Sequence, residues 1–211
     1  HLCLYLGFEG DIRQAGASAA NKWFFETWSH ALEPWHLDRI PETIPILYTS
    51  FPSLKDPDHD PGPRCLHTGE VVTFVEHDDF APFADTSWRR RGDAYEELKR
   101  DLTERLLEQL LRRMPGLRSM VRYAELSTPL STSHFTRATG GALYGIKPTP
   151  ERFANPWLVP RTPVEGLFLS GADITTVGVM GAFYGGVLTA AAIEPVKAMR
   201  MLRTLDTHGQ G

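Results

Sequence analysis

Short apolar runs predict β-strands over the first part of the chain. Leu2 to Phe8 is almost wholly apolar, which is typical of a buried strand. Ile44 to Ser50 and Val71 to Val75 have the length and β-branched content of strands, and Val121 to Leu126 adds another. Pro45 cannot donate to a ladder, so it indicates that its strand starts at the edge of a sheet.

One long helix is predicted over residues 93–114. Asp93 and Glu96 have the spacing of a capping box, and Pro115-Gly116 ends the pattern. Apolar residues recur at helical spacing, which indicates one buried face and a scaffold role. They are Tyr95, Leu98, Leu102, Leu106 and Leu110.

The C-terminal part combines a predicted strand with an apolar helix. Gly166 to Ser170 predicts a compact strand that leads directly into Gly171. After a Thr-rich turn, a helix begins near Val179 to Gly181, and Pro195 either kinks it or opens a new one. Loops are predicted from turn-forming or Pro-rich composition. They cover Pro52 to Pro63, Ser127 to Gly141 and Pro148 to Pro163.

Four aromatic residues lie within six positions: Trp23, Phe24, Phe25 and Trp28. Two interpretations stay open at this point. The residues pack into a core or a subunit contact, or they form the wall of an apolar pocket.

Composition excludes several classes of protein. The 211 residues are 42% hydrophobic and carry a formal net charge of −4. The chain therefore lacks the basic character that is typical of proteins that bind nucleic acid. No apolar run approaches the ~20 residues of a membrane span. Cys3 and Cys65 are the two cysteines, which is too few for a disulfide framework and favours reduced thiols in a cytoplasmic protein. The start at His1, directly before a strand, is interpreted as a truncation or an excised domain.

The segment from Gly166 to Ala192 has the features of a cofactor site. Gly171 and Gly178 let the backbone approach a ligand, and the free amides of the following helix favour an oxygen with negative charge. Asp173 could accept hydrogen bonds from hydroxyl groups, as an acidic side chain does in dinucleotide folds. A tightly packed corner is the alternative interpretation, and neither G-x-G-x-x-G nor GxxxxGK[ST] occurs in the chain.

This segment resembles the C-terminal flavin-binding motif of the amine-oxidase-like flavoproteins, in particular the phytoene desaturase, carotenoid isomerase and retinol saturase group. The stretch from Ser127 to Ile146 and the run from Thr149 to Pro163 resemble the same group, so the similarity covers about Val121 to Ala192. The resemblance implies FAD as cofactor, with the ADP half bound by an N-terminal G-x-G-x-x-G region that this chain lacks. The expected fold is therefore α/β, or α+β mixed, with part of a substrate-binding sheet and the C-terminal strand-turn-helix of a Rossmann-like FAD domain.

The resemblance also implies roles for individual residues. Residues 1–165 would be the substrate-domain portion, and residues 166–211 would close the FAD site. Asp173 would meet the ribityl or pyrophosphate region, while the amides near Val179, Met180 and Gly181 would face the flavin ring. The expected cofactor-binding set is Gly171, Ala172, Asp173, Gly178, Val179, Met180 and Gly181.

Other polar groups are weaker candidates. His134, Arg137 and Tyr144 are expected on the substrate side of an otherwise apolar tunnel, with surface loop positions as the alternative. Asp58-His59-Asp60 looks like a set of metal ligands but is interpreted as a solvated turn, and His77-Asp78-Asp79 as the polar end of a strand. No metal site is expected, and no residue is assigned as a catalytic acid or base.

The predicted function is hydride transfer between FAD and an extended apolar substrate such as a carotenoid, retinoid or other isoprenoid. A non-catalytic binding module and a fragment of an amine-oxidising flavoenzyme are the alternatives. The chain alone is expected not to retain FAD. Exposed apolar surface on the strands Leu2 to Phe8 and Gly166 to Ser170 is expected to drive self-association. A cytoplasmic location is expected, with contact to a membrane surface left open.

Overall fold

The chain forms two compact units. The computed structural model describes residues 1–26, 35–198 and 200. Unit 1 comprises His1–Ala142, and unit 2 begins at Leu143. The sequence predicts a different division, after residue 165, between a substrate-domain portion and a part that closes the FAD site. That functional division stays a prediction.

Unit 1 contains a five-stranded antiparallel sheet. The spatial order of the strands is β2-β3-β4-β1-β5, so β1 lies between β4 and β5. The unit also contains two helices, one between β4 and β5 and one after β5. The elements are β1 (Leu2–Glu9), β2 (Lys22–Phe25), β3 (Ile46–Ser50), β4 (Leu66–Thr73), α1 (Asp93–Arg113), β5 (Val121–Ser127) and α2 (Pro129–Thr136).

Alternation along β1 explains how the sheet is buried. Leu2, Leu4, Leu6 and Phe8 point to one face and are at most 3% exposed, whereas Tyr5 on the opposite face is 48% exposed. The prediction of a buried first strand is thus confirmed. The expectation that an absent domain covers this strand is wrong for its inner face, because α1 and the neighbouring strands already bury that face.

Pro45 does not mark a sheet edge. β3 pairs with β2 on one side and β4 on the other, so the edge prediction is wrong. The proline precedes the first paired residue, Ile46, and its missing amide therefore costs no ladder hydrogen bond. The aromatic residues Trp23 to Phe25 form the edge strand β2, while Trp28 lies outside the described residues.

Helix α1 forms as its periodicity predicts, but its first turn differs. Tyr95, Leu102, Leu106 and Leu110 are buried, and the helix ends at Arg113 before Pro115. The predicted capping box is absent, because Gly92, with a φ of 87°, occupies the N-cap and no side chain caps the helix. Asp93 is instead the first helical residue, where its negative charge suits the macrodipole.

The predicted loop from Ser127 to Gly141 contains a helix. Thr128 caps α2, and Ser131 completes a reciprocal capping box three residues on. Pro129 stands at the first helical position, where the lack of an amide has no cost. His134 therefore lies on a helix rather than a surface loop. In unit 2, the Pro-rich connection likewise includes one helical turn, α3 (Pro150–Phe153).

The described part of unit 2 has one long helix, α4 (Gly178–Ile193). The strand predicted over Gly166 to Ser170 is not formed, and only an isolated bridge joins Phe168 to Arg161. A strand needs a partner along its whole length, and the described part of unit 2 supplies this single pairing. The helix breaks at Glu194, and residues 195–198 are helical again, so Pro195 opens a new segment.

The described part of unit 2 buries little apolar surface. Val179 is 86% exposed, and Phe183 and Leu188 are about half exposed, although α4 is apolar nearly all round. An apolar helix of this kind is normally buried against a partner. No helix in the described ranges has both the length and the apolar character needed to cross a membrane.

Candidate functional site

The turn before α4 depends on glycine. Gly171 has a φ of 99° and Gly178 a φ of 88°, a region that residues with a side chain rarely adopt. Between them, Ala172–Ile174 forms a short 3-10 turn. A Cβ added to either glycine would meet no atom within 4 Å. Glycine is therefore required here for the positive φ and not for lack of space, and the space beside the backbone is open.

Gly181 and Gly185 have a different role. A Cβ on Gly181 would overlap the carbonyl oxygen of Thr176, and one on Gly185 would overlap that of Gly171. Both residues are buried. The Thr175 hydroxyl also donates to the Gly181 carbonyl at 2.6 Å. These glycines let α4 pack directly against the preceding turn.

The N-terminus of α4 presents free backbone donors. Val177 is the N-cap and makes no side-chain capping hydrogen bond. By helix geometry, the amides of Gly178, Val179 and Met180 then have no intrahelical acceptor, whereas that of Gly181 can reach the Val177 carbonyl. Val179 is 86% and Met180 59% exposed, so the first turn is accessible.

Asp173 is tied to another segment of unit 2. Its Oδ1 accepts a hydrogen bond from the Ile146 amide at 3.0 Å. Arg152, which is only 6% exposed, donates to the Ile146 carbonyl and, at 2.6 Å, to the Ala172 carbonyl. Asp173 and Arg152 together hold the 145–146 segment against the turn. The Asp173 side chain remains exposed at the surface.

A cavity of about 440 Å³ lies beside this turn. It brings together four of the seven predicted cofactor-binding residues, Ala172, Asp173, Gly178 and Val179, and adds Tyr144 from the predicted substrate side. Gly171, Met180 and Gly181 do not line it. Sequence reasoning missed the remaining lining residues, because nothing in their local pattern marks them. They are Leu143, Gly145, Ser170 and Ala182.

His134 and Arg137 lie in unit 1 around a different cavity. This cavity measures about 350 Å³ and is lined by residues before α1 and by α2. The His134 ring stacks on Trp88, with the ring centroids 5.3 Å apart. Arg137 follows α2 with a φ of 59°.

The outer face of the unit 1 sheet carries an aromatic surface. Trp23 pairs with Tyr48 across β2 and β3, their ring centroids lie 4.9 Å apart, and Phe25 stacks on Trp23. Tyr5 and Tyr123 are about half exposed. Burial raises the pKa of the Tyr5 phenol to about 12, so the hydroxyl stays neutral at physiological pH. We call Tyr5, Trp23, Phe25, Tyr48 and Tyr123 the aromatic face.

The weaker polar candidates serve local structure. His59 contacts the Leu66 carbonyl through Nε2, and Asp60 accepts from the Gly62 amide. Asp79 lies in a 3-10 helix after β4, where it accepts from the Leu37 amide at 2.8 Å. Within the described residues, no group of three His, Cys, Asp or Glu side chains is placed to hold a metal ion.

Comparison with curated proteins identifies relatives of one kind. The chain is 26% identical over 203 residues to an all-trans-retinol 13,14-reductase of Danio rerio, covering 91% of this chain and 33% of that protein. It is 31% identical over 159 residues to that of Rattus norvegicus, covering 74% and 26%. An inactive all-trans-retinol 13,14-reductase of Danio rerio is 30% identical over 162 residues, covering 72% and 26%. No family model matches the chain.

These relatives define the class as oxidoreductases. The chain is homologous to a region of the all-trans-retinol 13,14-reductases, which confirms the resemblance to the retinol saturase group. It spans about a quarter to a third of the length of the relatives it matches.

Proposed function

We propose that this chain is part of an FAD-dependent oxidoreductase acting on a retinoid-like apolar substrate, and that residues 166–211 close the FAD site. The observation that carries the proposal is the accessible N-terminus of α4 beside the 440 Å³ cavity. In this proposal, the turn and α4 are the last strand-turn-helix of a Rossmann-like domain, and residues 1–165 are the substrate-domain portion.

The residues at this turn fit a flavin in three respects. Gly178 leaves space beside the backbone, and the first turn of α4 offers amides without acceptors. Its dipole adds partial positive charge at the same place. The cavity volume lies within the range of about 300–1,000 Å³ that is usual for small-molecule sites. The cavity alone does not hold a whole dinucleotide, and for this reason we expect the isolated chain not to retain FAD.

Three backbone amides and one carboxylate of this chain would act on the cofactor. The amides of Gly178, Val179 and Met180 would donate to flavin oxygens and stabilise negative charge on the reduced ring. Asp173 would accept from a ribityl hydroxyl through the carboxylate oxygen that Ile146 leaves free. FAD, when bound, supplies the hydride chemistry, and the protein supplies orientation and charge stabilisation.

Two surfaces would contact an apolar substrate. Tyr144 and Leu143 line the cavity in unit 2 next to Val179. In unit 1, the aromatic face offers exposed rings, among them the Tyr5 phenol, whose pKa is raised to about 12. Large, rigid rings of this type suit contact with an extended isoprenoid chain. The names of the relatives point to all-trans-retinol as the first substrate to test.

The test uses the protein encoded by the complete reading frame that contains this chain. Val179→Pro removes one free amide at a position where the helix can accommodate proline. Val179→Ala removes the side chain and keeps the amide, so it is the matched control. Loss of one hydrogen bond of about 0.5–1.5 kcal/mol should weaken FAD binding about two- to tenfold in Val179→Pro alone.

Flavin absorbance after dialysis and FAD titration measure the cofactor, and turnover of all-trans-retinol measures activity. The proposal is contradicted if Val179→Pro binds FAD as tightly as Val179→Ala, or if the complete protein binds no flavin.

A non-catalytic flavoprotein is the second candidate function. A relative that carries "inactive" in its name is as similar to this chain as the active ones. Stoichiometric FAD without reduction or oxidation of all-trans-retinol or related isoprenoids would favour this second candidate.

A further inference from the structure

The cavity in unit 1 is lined by basic and hydroxyl groups that the proposed flavin chemistry does not use. Arg91, Arg137, Ser87 and Ser133 line about 350 Å³ together with Thr86 and His134. All of them belong to unit 1, so nothing in this site depends on unit 2. We propose that this cavity binds the phosphate group of a small molecule or lipid.

Arg91 is the central observation because it is a buried cation that forms no ion pair with any described residue. It is only 9% exposed, and its Nη1 donates to the Thr86 carbonyl at 2.8 Å and to the Thr86 hydroxyl at 3.0 Å. Its Nη2 reaches the Leu130 carbonyl at 3.4 Å, whereas Nε has no acceptor among the described residues. The carbonyl groups and the Tyr95 ring, whose centroid lies 5.5 Å from the guanidinium carbon, hold the guanidinium in place, but no carboxylate among the described residues pairs with it. A buried charge without a partner is costly, and a bound anion would remove that cost.

The surrounding charges have the same sign. Arg89 and Arg90 precede Arg91 in the chain, and Arg137 lines the cavity together with Arg91. In the described ranges, none of these four arginines forms an ion pair, although Asp85 and Asp93 are near in sequence. Arg91 and Arg137 line the cavity and no carboxylate does, so its lining is basic in a chain whose net charge is −4.

Free donors complete a site for a tetrahedral anion. The hydroxyls of Ser87 and Ser133 and the guanidinium of Arg137 have no hydrogen-bond partner among the described residues. Arginine forks match phosphate oxygens in pairs, and hydroxyls can donate to the others. The cavity is larger than one phosphate needs, so there is room for the group that carries it.

The ring of Trp88 already contacts neighbouring side chains. The Arg89 guanidinium lies 4.3 Å from its centroid, and His134 stacks against it. Recognition is assigned to the phosphate group, and Trp88 stabilises the wall of the cavity.

The experiment titrates the 211-residue chain with inorganic phosphate and follows binding by calorimetry. Arg137→Gln removes one free guanidinium that makes no contact the fold needs. The matched control is Arg100→Gln on α1, which removes the same charge from an exposed position outside the cavity. We expect saturable binding that Arg137→Gln weakens about tenfold or more and Arg100→Gln leaves unchanged.

A second arm distinguishes free phosphates from lipid headgroups. Vesicles of phosphatidylcholine with phosphatidic acid are compared with phosphatidylcholine alone by co-sedimentation. Binding only to the phosphatidic acid vesicles, lost in Arg137→Gln, assigns the site to a headgroup, and binding of inorganic phosphate alone assigns it to a soluble phosphate. The proposal is overturned if neither probe binds, or if Arg100→Gln weakens binding as much as Arg137→Gln. Flavin content does not enter either readout, so this result is independent of the proposed function.

Discussion

Asp173 holds the turn before α4 to a distant segment, because its Oδ1 accepts the Ile146 amide at 3.0 Å. The same carboxylate is the proposed acceptor for a flavin hydroxyl, so two roles meet in one side chain. Asp173→Ala should lower the free energy of unfolding of unit 2 by about 0.5–1.5 kcal/mol. Asp173→Asn keeps an acceptor oxygen and should be close to wild type in stability.

Cofactor retention by these variants separates the two roles in the complete protein. If the charge of Asp173 contacts the cofactor, Asp173→Asn should weaken FAD binding about tenfold while stability is kept. Asp58→Ala in the exposed turn is the control and should change neither property. Full FAD affinity in Asp173→Asn would show that Asp173 stabilises the fold and that its charge does not contribute to FAD binding.

Gln109 is expected to be a major stabilising residue of unit 1. Its side chain is 2% exposed, accepts from the Ile44 amide at 2.8 Å and donates to the Ile44 carbonyl at 2.7 Å. Gln109→Leu leaves both backbone groups without a partner and should cost about 2–4 kcal/mol. Arg105→Ala, which breaks an exposed pair with Asp101, should cost about 0.5 kcal/mol at most. Urea denaturation measures both, and similar midpoints would contradict the argument.

The sequence was sufficient to predict the first strand and the long helix, whose packing partners lie within unit 1. The apolar run from Leu2 to Phe8 and the helical spacing of Tyr95 to Leu110 report burial directly, so both elements were predicted. The sequence did not lead to a prediction of α2, because the hydroxyl-rich composition of this segment suggested a loop. Thr128, Pro129 and Ser131 nevertheless carry a helix-capping signal. The Gly166 to Ser170 strand failed for the opposite reason. Its composition is that of a strand, but strand formation depends on a pairing partner.

The candidate site was predicted in part for a related reason. Local pattern located the glycine turn and the start of α4, since φ requirements and helix ends are short-range features. It did not reveal that Gly145 and Ile146 meet Asp173, because this contact joins residues 27 positions apart. It also grouped His134 and Arg137 with Tyr144, whereas the first two line a separate cavity in unit 1.

Cys3 should react slowly with alkylating reagents. Burial raises the pKa of its thiol from 9.0 to about 11, and only the thiolate is nucleophilic. In a Cys65→Ser background, the alkylation rate should rise about tenfold per pH unit below that pKa. The unfolded thiol ionises first, so the stability linked to Cys3 is full below pH 9.0 and is lost as the pH approaches about 11. A Cys3→Ala variant should lose this alkaline component, and an unchanged alkaline unfolding curve would contradict it.

The isolated chain should self-associate through α4. Phe183 and Leu188 are 56% and 47% exposed on a helix that carries no charged residue. Apolar surface of this kind favours association. Phe183→Glu together with Leu188→Lys should shift sedimentation toward the monomer, whereas the same changes at Phe135 and Leu66, exposed in unit 1, should have less effect. A wild-type chain that sediments as a monomer at high concentration would rule this out.

Three of the four glycines of α4 provide the sharpest test of how the turn and the helix pack. Gly181→Ala and Gly185→Ala each place a Cβ on a backbone carbonyl, of Thr176 and Gly171 respectively, and backbone cannot move aside as a flexible side chain can. Each should destabilise unit 2 by about 3 kcal/mol.

Gly186→Ala is the matched control, because its Cβ would meet no atom within 4 Å and alanine favours the helix by up to about 1 kcal/mol. Hydrogen exchange of the α4 amides measures all three variants. Protection should fall in the first two and rise slightly in the third. If Gly185→Ala exchanged like Gly186→Ala, the turn at Gly171 would not pack against α4, and the amides proposed to contact FAD would lack the support that fixes their direction.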